Sequence, residues 1–74
     1  MKLTYDHLAD AAYIYLVQEI DKGQVKKTYL CDPSEIGGQI NLDFDASGTL
    51  LGIEILDASR FLSKGVLDEA EIIE

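Results

Sequence analysis

The chain has 74 residues, and its 14 acids against 6 bases give a net charge of −8. It is therefore a single small domain whose charge repels nucleic acid phosphates and anionic membrane surfaces. An apolar fraction of 47% is too high for disorder, and no apolar run approaches the ~18 residues that span a bilayer.

The segment Met1-Lys2-Leu3-Thr4-Tyr5-Asp6 lacks the apolar core of a signal peptide. Cys31, the one cysteine, has no partner for an internal disulfide, and the expected compartment is a reducing cytoplasm. Leu3 and Tyr5 alternate with polar neighbours as a short edge-like strand, and Asp6 is placed to cap the turn after it. Residues 11–17 form a second strand, with Ala12, Ile14 and Leu16 on one face and Tyr13, Tyr15 and Val17 on the other. Asp21-Lys22-Gly23 signals a turn, and a third strand runs from Val25 to Leu30. The stretch from Asp32 to Gly38 reads as a loop, because Pro33 forbids a ladder bond and the glycine pair favours a bend.

Strands four and five are Gln39–Asp45 and Leu50–Leu56. A two-residue turn at Ser47-Gly48 sets Phe44 against Leu51, Leu42 against Ile53, and Ile40 against Ile55, so all three pairs are apolar. A three-residue loop with a glycine bulge sets Ile40 against Glu54 instead, and the apolar pattern selects the first register. Asn41, Asp43, Asp45 and Glu54 then share the outer face. Asp57 or Ser59 caps a short helix running to about Lys64, with Gly65 at its end and Phe61 and Leu62 as core contacts. The core covers about residues 2–64, and an acidic tail fills 65–74.

One spacing imitates a metal site. Asp43, Asp45, Ser47, Gly48, Leu50 and Glu54 occupy positions 1, 3, 5, 6, 8 and 12 of a calcium loop. Such a loop needs a helix before it, and the period-two alternation of residues 39–44 is strand. In a hairpin Glu54 lies beside Asn41 and does not wrap a cation, so no metal ligand is assigned. His7, the only histidine, has no partners at ligand or catalytic spacing and reads as an exposed turn residue. Cys31 closes an apolar strand and reads as a buried structural thiol; Asp6 and Asp10 flank a tight turn and read as backbone caps. Tyr5, Tyr13, Tyr15 and Tyr29 have no basic patch beside them, which points to core or interface packing over nucleic acid stacking.

Two strings carry a family resemblance. They are Tyr5-Asp6-x-x-Ala9-Asp10-Ala11-x-Tyr13-Ile14 and Asp43-Phe-Asp45-x-x-Gly48-x-Leu-Leu-Gly52-Ile-Glu-Ile-Leu-Asp57-Ala-Ser59. Over roughly residues 2–62 the chain resembles the small bacterial proteins of the domain of unknown function DUF 2283. His7 stands where that family usually has proline, the Asp32–Gly38 loop looks longer than the family's middle turn, and the tail beyond Leu62 is extra. The resemblance implies a small β-meander with a terminal helix and brings no activity. Members often resemble companions of toxin-like proteins.

The expected fold is α+β: a five-stranded antiparallel β-meander with a short C-terminal helix, residues 1–74 in one domain. The expected function is a non-enzymatic interaction module. It self-associates as a homodimer and masks a basic protein partner in antitoxin fashion, with no cofactor, nucleic acid or membrane. The alternative is a small-molecule or metal-binding domain using the acidic face around Asp43, Asp45 and Glu54.

Overall fold

A computed structural model describes residues 1–73. The chain order is β1 (Lys2–Asp6), β2 (Ala11–Tyr15), β3 (Lys27–Leu30), α1 (Pro33–Ile36), β4 (Ile40–Phe44), β5 (Leu50–Leu56), α2 (Ala58–Phe61), α3 (Lys64–Asp68) and β6 (Glu71–Ile72). One six-stranded sheet has the order β3-β4-β5-β2-β1-β6. The domain is α+β as expected, but the five-stranded antiparallel meander is replaced by a mixed sheet.

Two elements cause that difference. First, β2 pairs with β5, not with β3, so that Ala12 lies opposite Ile55 and Ile14 opposite Ile53. The Asp21–Gly23 turn forms, with Gln24 N–H on Asp21 O at 3.0 Å. It sits midway along a long connection, residues 16–26, and closes no hairpin. Second, the tail adds β6 parallel to β1, pairing Thr4 with Glu71 and Tyr5 with Ile72. A parallel neighbour needs a crossover, and α2 and α3 supply it.

The single expected helix is two short ones. Leu62 turns extended (φ −105°, ψ 139°) and ends α2, and Ser63 then starts α3 by accepting from Val66 N–H. Gly65 therefore lies inside α3 and does not end a helix. The expected Asp32–Gly38 loop contains a helical turn. Asp32 caps it, Pro33 fills its first position where no N–H is needed, and Gly37 closes it in the left-handed region (φ 67°).

The register between β4 and β5 keeps Ile40 opposite Ile55 and Leu42 opposite Ile53, as the apolar pattern requires. Phe44, however, faces Leu50 instead of Leu51, and the register shifts between Asp43 and Phe44. The hairpin uses the three-residue loop: Asp45 N–H bonds Thr49 O at 3.0 Å, and Gly48 lies at φ 86°. A bulge at Leu50–Leu51 compensates for the extra loop residue and restores the apolar pairs. Leu51 becomes the most buried large side chain, at 1% exposure.

Ala12, Ile55 and Ala58 form the centre of the core, with Leu3, Tyr5, Ile14, Ile40, Ile53, Phe61 and Leu62 partly buried around them. Phe61 and Leu62 are thus core contacts, as their position after β5 suggests. Leu42 and Phe44 lie outside this cluster. Phe61 and Leu62, at the end of α2, pack on the β1, β2 and β5 residues of this cluster and on Ile40 of β4.

Candidate functional site

The outer face carries the polar residues. Tyr13, in the middle of β2, is paired with Glu54 of β5, and its ring reaches diagonally over Gly52, where a Cβ would overlap it. Its hydroxyl donates to Asp43 Oδ2 at 2.6 Å, and Thr28 Oγ1 donates to Asp43 Oδ1 at 2.7 Å. Burial, followed by the bond to Asp43, raises the pKa of the Tyr13 hydroxyl well above its ordinary value. One row along, Asn41 Nδ2 donates to Glu54 Oε1 at 2.8 Å, and Asn41 is 9% exposed. Lys2 Nζ sits 4.7 Å from the Tyr15 ring centre, and Tyr15 packs tilted against Tyr13 at 4.8 Å.

These contacts decide what the acidic residues do. Asp43 is held by two hydroxyls and Glu54 by an amide. Asp45 turns into its own loop, accepting from Ser47 N–H and Thr49 N–H, both at 2.9 Å. The three carboxylates of the calcium-like spacing do not converge. Among the described residues, no group of three His, Cys, Asp or Glu side chains is placed to hold a metal ion.

A second cluster joins the ends of the chain's family-like segment. Asp10, at φ 51°, accepts the Tyr5 hydroxyl at 2.6 Å, Ser59 N–H at 3.0 Å and Ser59 Oγ at 2.8 Å. Its carbonyl accepts Ala58 N–H at 2.9 Å. Asp10 therefore caps α2 from another part of the chain, whereas Asp57 makes no side-chain cap bond and Ser59 lies within the helix. The Tyr5 hydroxyl first, and then Ser59, lower the Asp10 pKa below its ordinary value; the same Tyr5–Asp10 bond raises the pKa of Tyr5. Asp6 is a local cap, as expected, accepting from Leu8 and Ala9 N–H. The sequence reads Asp10 as a backbone cap beside its own turn; it does accept a backbone N–H, but that of Ser59, which nothing in the spacing announces.

The remaining candidates are scattered. His7 stands 5.0 Å from the Tyr5 ring in the exposed turn. Cys31 is half-buried and not fully enclosed, because it follows a strand at the edge of the sheet. The tyrosines divide: Tyr5 packs on the core, Tyr13 and Tyr15 lie on the outer face, and Tyr29 is 56% exposed on β3. Beside Tyr29 an open groove of ≈ 490 Å³ runs over Phe44, with Lys26 and Lys27 on its rim. No nucleophile, base and orienting group meet at any of these places. The third strand forms as expected, over Lys27–Leu30, but sequence reasoning missed its place: β3 forms one side edge of the sheet and is exposed at all four positions.

Among the described residues, no helix is long and apolar enough to cross a membrane. Neither the curated proteins nor the solved structures yield a match to this chain. One family does match, over residues 2–59, and this span begins with β1 and ends at the Ser59 that Asp10 binds. The chain accordingly belongs to the family described as "Protein of unknown function (DUF2283)".

Proposed function

We propose that the protein is a non-enzymatic interaction module that self-associates as a homodimer and masks a basic protein partner in antitoxin fashion. The observation that carries this reading is the thin core. Among the described residues only Ala12, Leu51, Ile55 and Ala58 are buried apolar side chains, while Tyr29, Leu30, Val66, Ile72 and Ile73 are about half exposed. Leu50, Leu56, Tyr13 and Tyr15 stay half-exposed. One sheet with three short helices has little to cover them, and a second chain enlarges the core.

The charge of −8 supports a basic partner over nucleic acid or an anionic membrane. The acids available for it are the exposed ones of loops, helices and tail, such as Glu19, Asp21, Glu35, Asp57 and Glu69. Asp43, Asp45 and Glu54 already hold internal hydrogen bonds. A cytoplasmic location belongs to the same reading, because the lone Cys31 needs no oxidising compartment.

Light scattering at high micromolar concentration is expected to give twice the 8.2 kDa chain mass; the mass of one chain would remove the self-association. Partners recovered with the protein from its native host are expected to be basic and to be released as salt rises. Acidic partners, or binding indifferent to salt, would remove the masking.

A further inference from the structure

We infer that two copies of the chain join edge to edge through β3, in antiparallel register about Tyr29, to make one continuous sheet. The inference rests on the self-association proposed above and names its surface. Cys31 N–H bonds Ile40 O at 2.9 Å, which sets the phase of the β3–β4 ladder. Antiparallel bonds alternate along a strand. The backbone groups of Tyr29 therefore turn towards β4 with those of Cys31, and the N–H and C=O groups of Thr28 and Leu30 turn towards the open edge.

An exposed strand with such groups pairs readily with another unless it is short, charged or covered. The opposite edge is protected in that way: β6 has two residues, one of them Glu71, and the acidic Glu69 precedes it. β3 is twice as long, at four residues, and its one charge, Lys27, stands at its start; the following Thr28, Tyr29 and Leu30 carry none, and Tyr29 and Leu30 are 56% and 46% exposed.

The occupant is a second copy because the edge is complementary to itself. About Tyr29, Thr28 pairs with Leu30 of the second copy, and Leu30 with its Thr28. All four residues then use backbone groups that already face outward. The two Tyr29 rings meet as a non-hydrogen-bonded pair, where side chains come closest. They join the two grooves over Phe44 into one apolar surface. Charge agrees with the direction: Lys26 and Lys27 stand at one end of the strand and Asp32 just beyond the other. Antiparallel pairing sets each lysine pair against the other copy's Asp32; parallel pairing would set lysine against lysine.

The test is sedimentation of the full chain with three variants. Thr28→Pro removes an outward N–H without touching the β4 ladder and is expected to raise the dimer dissociation constant ~10-fold or more. Thr28→Ala loses only the side-chain bond to Asp43 and is expected to dimerise as the wild type does. Tyr29→Cys in a Cys31→Ser background is expected to form an inter-chain disulfide under oxidation, because such pairs bring Cα atoms within disulfide range. A wild-type dimer that survives Thr28→Pro, or a Tyr29→Cys chain that does not cross-link to itself, overturns the edge pairing and leaves the interaction module standing. A monomeric wild type overturns both. Circular dichroism of each variant shows whether a loss of dimer is a loss of fold.

Discussion

Gly52 is the position where one methyl group matters most. The Tyr13 ring occupies the space its Cβ would fill, and the Tyr13 hydroxyl holds Asp43 across the sheet. Gly52→Ala must push that ring aside, and is expected to cost ~1–3 kcal/mol by overpacking and loss of the bond. In a Tyr13→Ala background the same change is expected to cost much less, measured as a double-mutant cycle in urea. Equal costs in both backgrounds would mean that the ring is not the obstacle. Asp10 gives a pH dependence. Its folded pKa is lowered, by Tyr5 and then Ser59. Its stabilising contribution is present above the unfolded value and is lost as pH falls through the folded one. From ~pH 4 downward the wild type is expected to lose melting temperature more steeply than Asp10→Asn. Parallel curves would show that Asp10 contributes nothing to the acid limb.

At the scale of elements, the β4–β5 hairpin balances two rules that pull apart. The apolar pattern demands Leu42 opposite Ile53 and Ile40 opposite Ile55, while the Ala46-Ser47-Gly48 loop carries one residue too many for that register. The structure satisfies both by placing a bulge at Leu50–Leu51. The register was legible because a slip of one residue would turn a whole apolar face to solvent. The loop type was not, because its cost is recovered by a bulge that side-chain pairing alone does not reveal. Gly48 lies at φ 86° with nothing within 4 Å of a Cβ, so its constraint is backbone conformation alone. Gly48→Val is expected to destabilise by ~1 kcal/mol or more, read from the denaturant midpoint. Gly48→Asn is expected to cost less, since asparagine enters that region more readily. An unchanged midpoint for valine would contradict the turn geometry.

For the whole molecule, the thin core ties the proposed self-association to stability. A dimer that buries Tyr29 and the neighbouring apolar face binds the folded chain and not the unfolded one. Its melting temperature is therefore expected to rise with protein concentration. Calorimetry over a hundredfold concentration range checks this; a constant melting temperature would mean that folding is complete within one chain.

The sequence by itself determined the α+β class, five of the strands and two of the three expected apolar pairs of β4 and β5, Leu42 with Ile53 and Ile40 with Ile55. Each follows from local alternation, turn residues and the face-flipping cost of a slipped strand. It also placed Asp6 as a cap and Phe61 and Leu62 on the core, because short-range geometry sets both. Only the tertiary structure decided that β2 lies beside β5, that Asp10 caps α2 from 49 residues away, and that the tail returns as β6 beside β1. Those choices depend on which apolar faces meet across long stretches of chain, as Ala12 and Ile55 do. Several strand orders offer similar local patterns, and the one that buries Ala12, Ile55 and Ala58 together is selected by packing.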